Sequence, residues 1–355
     1  MARPAIILGV TLSAMEALAD YGTVEFLGVP TFTTGIFRTW FGMNDTVTAT
    51  QMATLLLSIV FVFVFIEQQS RKKIRYSENI KTQSKLNYRI TSKKNNAVII
   101  SICLLPLVFG FVIPFIQLIY WSLFVSSESW DYAFLNVIKD TLLLSFFAAF
   151  IITLISIMIT YVKRLRSKSF TNKLMNIITL GYAIPGPVVA IAVLIPFATF
   201  DNFLNQVLIS NFDISVGLIF SGSLFILIFA YCIRFLTVSS RTIKNGLESI
   251  SLATDDAAKS MGASTKTLLT KIHFPMLKTY VLTSFLIVFI DVMKELPLTS
   301  ILRPFNFNTL SVKAFELASD EKIADASNAA IMIVVAGIIP VIFITKNILG
   351  KRNKV

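Results

Sequence analysis

The chain has very few of the residues on which most protein chemistry depends. Its 355 residues include one His and two Cys, which excludes a Cys/His zinc module, a disulfide framework and most histidine-based catalysis. Charged residues make up only 15%, against about a quarter in a soluble globular domain. No G-x-x-x-x-G-K-S/T phosphate loop occurs, so the chain carries no such ATP-hydrolysing site. No nucleophile–base pair or metal-ligating cluster stands out, and no metal ligand is assigned. The N-terminus lacks the basic start, clean apolar core and small-residue cleavage site of a signal peptide.

What is present in quantity is apolar. Hydrophobic residues reach 55%, with 31 Phe and a mean hydropathy of +0.74, and they fall in long blocks. That pattern predicts an all-α polytopic membrane protein. A bilayer core takes about 20 apolar helical residues, and eight blocks approach that length: Pro4–Ala19, Thr48–Ile66, Ala97–Phe124, Thr141–Val162, Met175–Ala198, Ile214–Leu236, Thr279–Leu298 and Ser327–Ile344. Cys103 and Cys232 sit in such blocks and read as small buried hydrophobes.

The net charge of +12 does not point to nucleic acid, because the basic residues gather in short loops between apolar blocks. With the N-terminus cytoplasmic, 26 of the 32 Lys and Arg lie on the inner side, including all those from Arg234 to Lys278. Both termini are then expected in the cytoplasm. Residues 67–96, with Arg71-Lys72-Lys73, read as a basic linker meeting anionic headgroups.

An internal repeat is expected as well. Sliding the sequence by 275 residues lays spans one and two on spans seven and eight, with Glu16 on Asp291, Asp20 on Glu295, Phe32 on Phe307, Thr34 on Thr309 and Asp45 on Asp320. Such repeats are common in transporters. In span seven, Asp291, Lys294 and Glu295 stand at offsets that place them on one helical face. Each ionised group at a helix centre costs about 2.5–3.5 kcal/mol, so this face must meet protein or water. Two readings stand: Lys294 neutralises one of the acids and locks the bundle, or the face lines a translocation pathway that Glu16 and Asp20 extend for a cation.

The stretch at about 246–278 is amphipathic and organised. Leu247–Met261 reads as a short helix with Ile250, Leu252, Ala257 and Ala258 apolar and Asp255 and Asp256 charged. Gly262 permits a left-handed stop, Thr265–Phe274 reads as a second helical piece, and Pro275 opens the next span. A protruding helix–turn–helix of this kind can seat in a partner's groove and pass motion to the spans on either side. The alternative is an interfacial helix lying on the membrane.

Asp256-Ala257-Ala258, three residues, Gly262, nine residues and Ile272-x-Phe274-Pro275 resemble the cytoplasmic loop of importer-type ABC permeases. Its form there is Glu-Ala-Ala, three residues, Gly, nine residues, Ile-x-Leu-Pro. The runs Ala19–Val24, Thr31–Ile36, Asp291–Pro297, Arg303–Phe307 and Glu316–Glu321 are similar to the iron(III) branch of that family. The resemblance implies a helical permease bundle in the bacterial inner membrane, and a separate ATPase in two copies docking on the loop. ATP is then used by that partner, and a periplasmic binding protein delivers ferric iron.

In that branch two permease units are fused in one chain. Residues 1–66 then correspond to the last two transmembrane helices of an incomplete first unit, 67–96 to a cytoplasmic linker, and 97–355 to a complete second unit of six helices. A missing first unit, or a second copy of this chain, would complete the transporter. Permeases for thiamine or a polyamine are alternatives within the class. An ion-coupled secondary transporter is another, but it leaves the loop spacing unexplained. Tyr182–Pro187 interrupts span five as a pathway bend or a packing kink. His273 reads as an interfacial or ATPase-contacting residue, and Asp45, Glu316, Asp320 and Glu321 as solvated outer-loop charge, with docking of the binding protein the alternative.

Overall fold

The computed structural model describes residues 3–72, 93–127, 130–165, 175, 178 and 181–352, and the described residues form helices with no strand. Seven of these helices are long and apolar enough to cross a membrane. Four lie where hydropathy places them. They are α4 (Thr46–Lys72), the pair α5 (Lys93–Leu107) and α6 (Ile113–Phe124) joined by a wide turn at Val108–Val112, α7 (Tyr132–Leu165), and the C-terminal helix Ile323–Arg352. The first expected span is a 17-residue helix, α1 (Arg3–Ala19), roughly 25 Å long and short of a bilayer core of about 30 Å. Most of the basic linker lies outside the described residues; α4 runs to Lys72 and α5 resumes at Lys93.

Two expected spans are displaced. Pro185 is extended (φ −60°, ψ 144°), and helix α8 starts only at Gly186, running to Phe212, so the block Met175–Ala198 is not one span. The block Ile214–Leu236 is also wrong in its first half. Asp213 ends α8 in the left-handed region (φ 54°), and the chain to Phe220 is irregular. The buried Asp201 carboxylate accepts the backbone N–H groups of Phe220 and Ser221, while Asn205 accepts those of Val216 and Gly217. Helix α9 follows, Leu224–Glu248, capped by Ser223. Hydropathy cannot separate an apolar loop stapled to polar side chains from an apolar helix.

The short helix α10 (Leu252–Ser260), with Ser251 as its N-cap, leads through Gly262 into a continuous helix Thr265–Met293. This helix contains α11 (Thr265–Thr267), a wide turn at Leu268–His273, and α12 (Phe274–Met293). Pro275 therefore sits inside a continuous helix and does not mark its start. The chain then breaks and continues as α13 (Pro297–Leu302), α14 (Leu310–Ser319) and α15 (Ile323–Arg352).

The main core joins α7, α8, α9, α12 and α13 through Ala148, Ala149, Ile152, Ala190, Ala230, Tyr231, Val288 and Leu298. Small residues allow close approach, and short hydroxyls supply cross-helix bonds, as expected where lipid gives no hydrophobic drive between helices. Ser239 and Ser284 lie 2.6 Å apart, and Tyr231 Oη is 2.6 Å from Thr299 Oγ1. A second core, Ile36, Ala49, Ala53, Leu56, Val188 and Ile191, fastens α4 and the short helix α3 (Phe32–Phe37) to α8. By contrast, α5–α6 has no buried residue in its apolar window. It is held at the C-terminal end of α6, where Ser122 donates to Asn328 and the Ser127 N–H to Asp325. Cys103 lies exposed on α5, contrary to the expectation of a buried hydrophobe.

The repeat is real in the backbone, with a slipped register. The helix α2 (Gly22–Phe26) and α13 both follow a break after a helix, α1 and α12 respectively, at the 275-residue offset. Asp20 accepts the N–H of Thr23, and Glu295 that of Leu298. Beyond this point the offset becomes 278, because Thr31 and Thr309 are the caps of α3 and α14. Thr33 then donates to the Asp20 carbonyl at 2.6 Å, as Ser311 does to that of Glu295 at 2.9 Å. The expected pairing of Thr34 with Thr309 is therefore three residues out of step.

Candidate functional site

Two places bring the singled-out residues together: the elbow around α10, and a cavity between the two repeats.

On α10, Asp256 and Ala257 are exposed and Ala258 is buried. Gly262 holds φ +83°, the left-handed conformation that glycine adopts without steric cost. Ile272 is half-buried, and Phe274 and Pro275 are exposed. Around them Leu252, Met261 and Met276 are exposed at 68%, 81% and 50%, so the elbow presents an apolar surface flanked by the Asp256 carboxylate. The expected helix Leu247–Met261 is broken at Ser249–Ser251, because α9 continues to Glu248 and Ser251 caps a new helix.

Asp255 departs furthest from expectation. It faces inward, with both oxygens accepting from Arg164 at 2.9 Å (Nε and Nη2), and Oδ1 also lying 2.8 Å from His273 Nε2. Arg164 donates further to the carbonyls of Leu247 and Ile250. The Arg164 hydrogen bonds hold the Asp255 carboxyl below the ordinary range, against the opposing effect of burial, with His273 adding to the lowering. His273 is fully buried and does not stand at an outward-facing contact surface. Arg164 and Asp255 form an internal joint, whereas the sequence alone offers Asp255 only as charge on a short helix.

The cavity has a volume of about 750 Å³ and is lined by Glu16, Asp20, Asp291, Lys294 and Glu295, together with Tyr182 and Arg234. All five charged residues picked out on spans one and seven thus share one space. Their geometry differs from the expected single helical face. The helix ends at Met293, with Lys294 as its C-cap, so Lys294 pairs with Asp291 at 3.2 Å while Glu295 turns to Arg234 at 2.6 Å. Arg234 had been counted as an inner-loop charge, yet it lies within α9 with a side chain only 12% exposed. A lone arginine ten residues into an apolar run was the available signal. Gly186 makes this pair possible, since a Cβ there would stand 2.6 Å from Arg234 Nη1 and 3.0 Å from Glu295 Oε1.

Four carboxylates against two cations leave the cavity lining acidic, and no group of three or more His, Cys, Asp or Glu among the described residues converges as a metal site. The arrangement can attract a cation without chelating it. At the junction of the repeats, Tyr21 stacks on Phe37 at 3.7 Å and meets Phe315 at 5.3 Å. Phe37 and Phe315 correspond at the 278-residue offset.

Residues 152–354 match the family described as "Binding-protein-dependent transport system inner membrane component". The Fe(3+)-transport system permease protein FbpB 2 of Haemophilus influenzae is 26% identical over 97% of this chain, which spans 66% of that relative's length. Among solved structures, a bacterial alginate ABC transporter in complex with a pentasaccharide-bound periplasmic protein matches with TM-score 0.54 at 19% identity, covering 70% of this chain and 93% of that one. A second structure of a bacterial ABC transporter importing alginate matches with TM-score 0.52 at 17% identity, over 73% of this chain and 96% of that one. These two likenesses concern fold alone. With its long apolar helices and a match over more than half its length, the chain belongs to the family of binding-protein-dependent transport system inner membrane components.

Proposed function

We propose that this chain is the membrane-spanning part of an ATP-driven importer whose elbow receives a separate ATPase from the cytoplasmic side. The observation that carries this reading is the elbow itself. Asp256, Ala257, Gly262, Phe274 and Pro275 keep the spacing of the importer loop and are solvent-exposed around a left-handed glycine. A rigid protrusion with an apolar surface is a shape that a groove on a partner can grip.

Ferric iron delivered by a periplasmic binding protein is the cargo we favour, on the iron-transport relative and the acidic cavity together. Thiamine or a polyamine is the alternative cargo. On the same reading 1–66 and 97–355 are parts of two permease units joined by the 67–96 linker, with two ATPase copies per transporter. An ion-coupled carrier would use the cavity acids but would have no need of the elbow.

Affinity purification of the membrane-embedded chain should recover an ATPase, and Gly262→Val, which forces a branched side chain into the left-handed region, should abolish uptake of iron-55 while the protein stays in the membrane. Normal uptake in that variant would refute the coupling role. Competition of iron-55 uptake by excess thiamine or polyamine would reassign the cargo.

A further inference from the structure

We infer that Asp255 is the positioning residue that makes the elbow and its neighbouring spans a single lever; this rests on the coupling reading above. Of the nine residues of α10, only Asp255 and Ala258 are buried. One alanine, with a single methyl group to bury, offers too little apolar area to anchor a helix against a load. The main attachment is therefore ionic.

That attachment reaches three other elements. Arg164 stands in the last turn of α7 and grips both Asp255 oxygens in a fork. The same guanidinium takes up the carbonyls of Leu247, in the last turn of α9, and of Ile250 just beyond it. His273, at the end of the wide turn leading into α12, holds Oδ1 from the other side at 2.8 Å. Tyr161 closes the joint, packing edge-on to the His273 ring and donating to the Thr265 carbonyl. Bidentate charged hydrogen bonds fix orientation as well as distance. A push on the exposed Asp256 face of α10 is thus delivered, through its buried neighbour, to α7 and α12 together. Asp256 and Asp255 divide the work: one faces a partner, the other faces the bundle.

The test uses the full chain in lipid nanodiscs with Cys103 and Cys232 replaced by Ser. Spin labels go at Lys259→Cys on α10 and Leu165→Cys at the end of α7, both exposed positions. The parent should give one narrow label-to-label distance, and Asp255→Asn a broad distribution. Assembled with the ATPase recovered with the parent chain, Asp255→Asn should still bind that ATPase. It should move about tenfold less iron-55 per ATP hydrolysed, as expected for losing a charged hydrogen bond in the lever. If Asp255→Asn does not accumulate, His273→Asn is the second variant, with the same direction of change expected.

A narrow distance with unchanged cargo per ATP overturns the proposal, and so does a broad distance accompanied by loss of ATPase binding, since Asp255 would then only fold the docking surface. Failure of the parent chain to recover any ATPase overturns the coupling reading itself, whatever Asp255 does.

Discussion

Arg164 and Arg234 each end on a carboxylate inside the protein, and the two pairs set the chemistry of the two sites. A buried ion pair is costly to break from one side, because the remaining charge is left without a partner; the loss is about 3–5 kcal/mol. Glu295→Ala, which strands Arg234 beside the cavity, should lower stability by an amount of that order in thermal unfolding in detergent; an unchanged melting temperature would make the pair dispensable. Asp255 lends itself to a pH test, because it lies outside the membrane-spanning segments and its carboxyl is held below its ordinary value of 3.8. A carboxylate lowered by folding stabilises fully above the unfolded pKa of about 3.9, and that contribution disappears as pH falls through the folded value. Backbone hydrogen exchange of α10 should therefore show protection that this carboxylate leaves undiminished down to about pH 4 and loses only in more acidic buffer. Arg164 was not legible as a partner in the sequence, since a basic residue near a span end looks the same whether it faces headgroups or a buried acid; Arg234 stood out by its place in an apolar run, but nothing local says which acid it meets.

Among the elements, the elbow was the most readable and the middle spans the least. Gly262 combines a required φ of +83° with open space around its missing Cβ, so the strain of a substitution there is conformational and not steric. A branched residue in the left-handed region costs about 1–2 kcal/mol, whereas Asn visits it more readily. Gly262→Asn should keep most iron-55 uptake and Gly262→Val should lose it; equal uptake in the two would show that the turn is not needed. The expected spans at Met175–Ala198 and Ile214–Leu236 failed for a reason of the same kind. The extended Pro185 and the left-handed Asp213 restart and stop helices inside apolar text, and hydropathy averages across both. The break at Lys294 was hidden likewise, so a three-charge helical face became two separate ion pairs, Asp291–Lys294 and Arg234–Glu295.

For the whole molecule, the governing feature is the meeting of the two repeats around the acidic cavity. Tyr21 lies between Phe37 of its own repeat and Phe315 of the other, and a Cβ on Gly22 would come within 2.8 Å of Leu296. If cargo passes between the repeats, this contact must part. Linking Tyr21→Cys to Phe315→Cys with a short thiol reagent, in a background without Cys103 and Cys232, should stop iron-55 uptake, and reduction of a cleavable linker should restore it. Uptake that continues in fully linked protein would place the route elsewhere. Composition, hydropathy and the Asp256–Pro275 spacing already settle the membrane class and the presence of an elbow, because both depend on properties local to the chain. The repeat, too, shows in the text, since Asp20 and Glu295 stand just ahead of short helices and each accepts a backbone N–H three residues on. Which acid each buried arginine meets, and which way Asp255 faces, is decided only when the helices pack, because Arg234 and Arg164 stand 61 and 91 residues from their partners and nothing local distinguishes them.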